Sequence, residues 1–351
     1  MVPQVVRWLW PQRLPLGKLS LLDGDPGLGK STLLLDVAAR VTRGDAMPDG
    51  SVPDVAGPAG VVILQAEDGW EDTILPRFLA AGGVAAGVMA CTDMAEPAET
   101  DAQGRERRPA RLRMPHLGDV EPLETLVRDM AARLVIVDPL VAFLPPRVDA
   151  NKDAEVRQGL APIAALAERT GCAVVGVRHL NKAAALQALY RGGGSIGIIG
   201  AARSGLLVAA HPDDPRRRIL APLKCNLAVF PPALEWSLES AAGGVAVVRW
   251  AGVSDLTAER LLEGGDRDER RAGTDAEVFL RDELAQGARP AEDLIAAARR
   301  LGIATRTLRR AADTLGVRKQ RRGFGRGSAL HWSLPEHLAV AANAAAWATS
   351  C

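Results

Sequence analysis

The sequence predicts an α/β protein with a mostly parallel central sheet, followed by a small helical module near its carboxyl end. Three observations lead there. Over residues 1–250, short apolar runs of strand length alternate with segments of helical period, as βα units do. A glycine-rich loop, Gly24-Asp25-Pro26-Gly27-Leu28-Gly29-Lys30-Ser31-Thr32, stands between one such run and a helical segment. After a polar stretch at 251–274, the pattern changes to short helices dense in arginine.

The elements follow in order. Residues 17–23 are a short buried strand, and residues 31–40 a helix. Residues 60–65, 134–138 and 173–177 are apolar, rich in β-branched residues and short, which marks further buried strands. Runs at 206–210 and 219–223 extend the sheet, and helices are expected over 72–81, 123–132 and 155–170. Residues 97–113 are charged and poorly patterned, so a mobile surface insertion is expected there. Glycine and charge at 251–274 predict a linker, residues 275–335 a second domain, and 336–351 an Ala-rich tail.

Composition narrows the function classes. The chain has 351 residues, 48% apolar and 24% charged, with a net charge of +1, so overall charge points to no partner. Cys91, Cys172, Cys225 and Cys351 have neither metal-type spacing nor a disulfide pattern, as expected of a reduced, cytoplasmic protein. No basic region precedes an apolar run of signal length at the amino end, and no run reaches the ~18 residues of a membrane span.

The loop at 24–32 carries the first chemistry. Its glycines let backbone N–H groups turn inward on a polyphosphate, Lys30 adds a point charge, and Ser31 offers a hydroxyl to Mg²⁺. The apolar run before Asp138 ends in a carboxylate, the arrangement that holds Mg²⁺ beside a bound ATP. Glu67 follows the strand after the phosphate-loop helix, 60–65, and is the candidate catalytic base, with Asp68 second and a helix-capping role for Glu67 as the alternative.

Several further runs make the pattern more specific: Gln65-Ala-Glu67-Asp68-Gly-Trp-Glu-Asp-Thr-Ile-Leu-Pro-Arg77, Asp138-Pro-Leu-Val-Ala-Phe, Arg178-His179-Leu-Asn-Lys182, and Gly192-Gly-Gly-Ser195-Ile-Gly197 through Ala201-Ala-Arg203-Ser204. Together they resemble the RecA-like AAA_25 ATPases, a group that includes RepA-type hexameric plasmid helicases; the resemblance spans about residues 5–240. Gln65 departs from it, standing where Ser or Thr is common. The resemblance implies a P-loop NTPase core, ATP and Mg²⁺, and a nucleotide held between neighbouring subunits of a ring. It implies that His179 senses the γ-phosphate in cis, against a purely structural histidine. Arg203 and Lys224 become candidate fingers acting in trans, and Arg77 a third phosphate contact, each against ordinary surface pairing. It also places the 192–200 stretch in a loop facing DNA, flanked by Arg191 and Lys182, against a mere linker.

In the C-terminal module, helices are expected at 275–284, 291–300 and 304–315, with a turn at Gly302. Residues 317–334 are then a hairpin with Gly323-Phe-Gly-Arg-Gly327 at its tip. This resembles a winged helix-turn-helix domain. Thr305, Arg306, Arg309 and Arg310 lie on or near the third helix, and Arg318, Lys319, Arg321, Arg322 and Arg326 on the hairpin, against one acid, Asp313. That distribution is a phosphate-binding footprint on a groove-reading helix, with protein docking as the alternative. The expected function is a DNA-associated ATPase, a replicative helicase-like motor of a plasmid, prophage or mobile element. Its expected partners are DNA, copies of itself in a hexameric ring, and a replication initiator or primase. Alternatives are a RadA-like recombination or repair ATPase, or an ATP-switched DNA-binding regulator or loader.

Overall fold

The structure, a computed structural model, describes residues 5–96, 98–100, 106–108, 110–150, 152–180, 196–285, 287–322 and 329–335. Two compact units divide the chain, 1–262 and 263–351.

The first unit opens with a ribbon of β1 (Trp8–Trp10) and β2 (Leu14–Pro15). Strand β3 (Leu19–Gly24) and helix α1 (Lys30–Arg43) flank the glycine-rich loop as predicted, with each boundary moved a few residues. Next come β4 (Gly60–Gln65), a π-turn at Trp70–Ile74, α2 (Leu75–Ala80) and β5 (Val88–Ala90). The described residues of the segment expected to be a mobile surface insertion, 97–113, take part in two short ladders. Strand β6 (Met94–Glu96) pairs with β9 (Arg111–Arg113), and β7 (Glu99–Thr100) with β8 (Glu106–Arg108). Opposite charges across the outer rungs, such as Arg111 on Glu96 at 2.6 Å, allow a strand without apolar alternation.

The unit continues through α3 (Val120–Asp129), β10 (Ala132–Asp138), α4 (Asp153–Thr170), β11 (Ala173–His179), α5 (Ile196–Ala201) and β12 (Ser204–Ala210). It closes with β13 (Arg217–Cys225), β14 (Ala233–Ser240) and β15 (Ala246–Ser254). The central sheet has nine strands in the order β15-β14-β13-β12-β3-β11-β10-β4-β5. From β12 to β5 every pairing is parallel, and β13 to β15 add antiparallel strands at one edge.

Both faces of this sheet are covered, which is why its strands read as continuous apolar runs. On β10, Leu134 and Ile136 face the core beneath α1, while Val135 and Val137 face the one beneath α3 and α4. On the α1 side, three tryptophans meet: Trp10 and Trp236 each pack on Trp250, with ring centroids 5.9 and 6.2 Å apart. Trp250 Nε1 donates to Asp36 of α1 at 2.9 Å, so the β14–β15 hairpin is fastened to the helix that follows the phosphate loop.

Residues 251–274, expected as a linker, are occupied by the end of β15 and the first part of α6 (Ala258–Leu284). Its 27 residues tolerate Gly264 and Gly265 because the surrounding Glu, Arg and Leu are strong helix formers.

The second unit has its own core, in which Phe279, Leu280, Leu294, Leu308 and Trp332 are buried together. After β16 (Arg289–Pro290) come α7 (Ala291–Arg300) and α8 (Thr305–Thr314), joined through Gly302 at φ 77°. Strands β17 (Arg318–Arg322) and β18 (Ala329–Ser333) then form a hairpin, completed by β16 into a three-stranded antiparallel sheet. The tip at 323–327, Arg326 within it, and the tail at 336–351 lie outside the described residues. Among the described residues no helix is long and apolar enough to cross a membrane.

Candidate active site

Parallel strands align their carboxyl ends, and the site lies along that edge. Gly24 pairs with His179, Asp23 with Arg178, and Gln65 with Asp138 in the strand registers. The sheet thereby delivers the phosphate loop, Glu67, Asp138 and His179 to one cleft, a position where open α/β sheets bind ligands. The cleft measures about 360 Å³, and Lys30, Ser31, Glu67, Asp138, His179 and Arg77 all line it.

The loop's shape depends on its glycines. A Cβ at Gly24 would meet the Val208 carbonyl oxygen at 2.5 Å, and Gly29 sits at φ 85°, where a side chain is strained. Lys30 Nζ donates to the carbonyls of Gly24 and Asp25 at 2.9 and 2.8 Å, and it lies 3.2 Å from His179 Nδ1. Burial lowers the Lys30 pKa, opposed by Asp138, Asp25, Glu67 and Asp23 around it. An ammonium has only protons to give, so Nδ1 of His179 accepts and Nε2 carries the ring proton. That Nε2 lies 3.7 Å from Glu67 Oε1. Lys30, His179 and Glu67 thus form a chain from the phosphate loop to the candidate base.

Ser31 Oγ donates to Asp138 Oδ2 at 2.6 Å. Burial pushes the Asp138 carboxyl above its ordinary pKa, Glu67 adds to this, and the Ser31 hydrogen bond opposes it. A buried carboxylate beside a hydroxyl oxygen is a hard-oxygen pair suited to Mg²⁺. Among the described residues there is no cluster of three or more His, Cys, Asp or Glu that could hold a metal ion.

Gln65, the departure from the family pattern, has a role of its own. With its amide oriented to suit its neighbours, it donates to the Asp138 carbonyl at 3.2 Å and accepts from the Asp68 N–H at 3.1 Å. It fixes the Glu67 turn to the strand end that carries Asp138. Arg77 pairs with Asp68 at 3.2 Å, which ties that acid down and leaves Glu67 as the carboxylate facing His179.

Beneath the site lies a pair that the sequence alone does not single out. Arg178 donates twice to Asp23, at 2.8 and 2.7 Å, with the two side chains 2% and 0% exposed. It bridges the strand before the phosphate loop to the strand that ends in His179. The signal was one charge at the end of each apolar run.

Arg203 and Lys224 are elsewhere. Arg203 N–H donates to the Leu19 carbonyl at 2.9 Å, and Lys224 pairs with Gly205, so both stand at the amino end of the sheet. Along β3 that puts Arg203, level with Leu19, about 17 Å from the phosphate loop, and Lys224, level with Leu21, about 10 Å from it. Neither reaches the nucleotide cleft of its own chain. Lys224 instead braces the fold, since its Nζ donates to the carbonyls of Ile199 and Ala202, at 2.6 and 2.8 Å, closing the carboxyl end of α5. Burial lowers its pKa, with Arg203 and Arg157 adding to the effect. Arg203 is exposed. Lys182, Arg191 and the loop through Ser195 lie outside the described residues.

In the second unit, Arg306, Arg309 and Arg310 are exposed along α8, and Arg321 is exposed on β17. Thr305 begins α8, where its hydroxyl accepts from Arg299 Nε at 3.3 Å. Arg318 starts β17, and Arg322 ends it with its side chain outside the described residues. Lys319 is less available than expected: it bonds Asp313 at 2.5 Å and lies 5.3 Å over the Trp332 ring.

A parallel sheet with the phosphate loop, a Ser–Asp pair and a strand-end carboxylate at its carboxyl edge defines a P-loop ATPase of the RecA-like class. The AAA domain family, AAA_25, matches residues 2–185, and the chain belongs to that family. Its matched region ends just past His179 and so contains every residue of the cleft described above except those on β14 and β15. No curated protein matches the chain.

Proposed function

We propose that the chain is a DNA-associated motor, a replicative helicase-like ATPase of the RepA type that works as a ring, with a C-terminal winged helix-turn-helix domain. One observation carries this reading: a single chain joins an ATP cleft to a unit whose helix α8 exposes Arg306, Arg309 and Arg310 beside a basic hairpin. Two helices joined at Gly302 and followed by a β-hairpin have helix-turn-helix and wing order.

The chemistry assigned to the cleft is ATP hydrolysis. Lys30 and the loop N–H groups hold the phosphates, Ser31 and Asp138 would hold Mg²⁺, and that cation offsets phosphate charge when bound. Glu67 accepts the proton of the attacking water, and His179 relays γ-phosphate occupancy between Lys30 and Glu67. Arg203, exposed at the far end of the sheet, supplies positive charge to a neighbour's site, which makes the homo-oligomer part of the enzyme. Lys224 holds α5 beneath it. DNA, further copies of the chain, and a replication initiator or primase are the proposed partners.

The test is ATP turnover by the full chain without DNA, with single-stranded DNA and with duplex, alongside native mass with and without nucleotide. Expected are DNA-stimulated turnover, a nucleotide-dependent hexamer and ATP-dependent strand displacement. Stimulated turnover with no displacement would replace the motor by an ATP-switched regulator or loader.

A further inference from the structure

We propose that the base of the bound nucleoside triphosphate lies on Leu238 of β14 and Ala246 of β15, held by apolar contact that does not read its hydrogen-bonding edge. This deepens the nucleotide reading above and rests on it.

The argument is one of direction. Lys30, the Ser31–Asp138 pair, Glu67 and His179 fix where the terminal phosphate must sit. A triphosphate laid along the loop from that point sends its sugar and base toward the opposite end of the cleft. Among the described residues, Leu238 and Ala246 are the only lining residues with purely hydrocarbon side chains, and every other side chain in the lining is polar or absent. The hairpin abuts the loop. A Cβ on Gly29 would lie 3.1 Å from Leu238 Cδ1 and 3.4 Å from Trp236 Cη2.

The hairpin is also rigid enough to serve as a platform. Trp236, two residues before Leu238 and on the same face of the strand, is fully buried. Trp250 on the partner strand is fastened to Asp36 of α1. A base placed there gains from removing its flat faces from water, and that gain is common to purines. Strong rejection of the wrong base needs buried polar groups that the wrong base leaves unpaired, and neither Leu238 nor Ala246 offers one. Adenine and guanine nucleotides should therefore bind with similar strength.

Calorimetry on the full chain, with Mg²⁺, separates base from phosphate binding by comparing ATPγS, GTPγS and inorganic tripolyphosphate. For the unaltered protein, the two nucleotides should bind within about fivefold of each other. Leu238→Ala should weaken both about tenfold and leave tripolyphosphate within about twofold. Leu238 also touches the phosphate loop, so Ala246→Phe is the second variant, since Ala246 is not among the atoms nearest Gly29. It should change nucleotide affinity by about threefold or more, with tripolyphosphate again unmoved. Equal effects on tripolyphosphate would make the hairpin a prop for the loop, and unchanged nucleotide affinity in both variants would place the base elsewhere. GTPγS binding about a hundredfold weaker than ATPγS would show that the edge is read. Each of these overturns the proposal. If the unaltered protein binds neither nucleotide nor tripolyphosphate, the nucleotide reading itself is wrong.

Discussion

Glu67 and Asp138 are neighbouring carboxylates in one cleft, and their surroundings differ. Glu67 is half exposed and faces His179, whereas Asp138 is 3% exposed and bound to Ser31. Glu67→Gln should keep ATP affinity and lower single-turnover hydrolysis by about 10²–10⁴-fold, the usual worth of a positioned base. Wild-type hydrolysis in that variant would move the role away from Glu67. Asp138 ionises against its burial, so its native pKa is raised and its charged form opposes folding. The stability it lends is complete at acid pH and is lost as pH rises through that raised pKa. Asp138→Asn should therefore raise the apo melting temperature at neutral pH by about 1–3 °C while abolishing Mg²⁺-dependent nucleotide binding. In the unaltered protein, the melting shift caused by Mg²⁺ should grow with pH; a shift that shrinks would contradict the assignment. These residues were legible from the sequence, because phosphate and magnesium chemistry demand fixed residue types at fixed spacing. Asp23 and Arg178 were not legible as a pair, because their contact is made by strand register and not by sequence distance.

At the scale of elements, that buried pair sets the register of β3 against β11, and through it the height of Lys30 relative to His179. Arg178→Met should cost about 3–5 kcal/mol by denaturant unfolding, because it strands the Asp23 carboxylate. Combining it with Asp23→Leu should recover most of the loss. If the double variant is no better than the single, the cost lies in packing and not in the stranded charge. The parallel strands were legible as apolar runs, since a sheet covered on both faces needs apolar residues on both. The β14–β15 hairpin was missed, although Ala233-Leu-Glu-Trp-Ser-Leu-Glu-Ser240 alternates and Gly243-Gly244 turns at positive φ. Antiparallel strands with one face less fully covered carry this weaker, two-residue period. The stretch expected as a linker, 251–274, contains the boundary between the two units and is in part helical, because charge and glycine mark a segment as polar without choosing between loop and helix.

At the scale of the molecule, Arg203 and the ATP cleft belong to opposite ends of one sheet. Arg203→Ala should bind ATP almost as tightly as the unaltered chain and turn over far more slowly, since a finger acts in the transition state. Mixing Arg203→Ala with Glu67→Gln subunits should restore part of the turnover. No restoration at any ratio, with assemblies intact by native mass, would remove the trans role. For the second unit, DNA affinity should fall with salt at a log–log slope of about −0.9 per phosphate contact, and Arg321→Ala should flatten it for every sequence. Arg309→Ala should instead change sequence preference, measured by competition between duplexes.

The separation of these two ends along β3 has an arithmetic consequence. A subunit that takes its finger from the next one forms a head-to-tail joint, in which donor and acceptor surfaces differ. An open row of such subunits always leaves its last cleft without a finger, so a lone chain has no finished cleft and a pair has one. Only closure into a ring finishes all of them. Turnover per subunit should then climb with protein concentration and level off at the concentration where the circle closes.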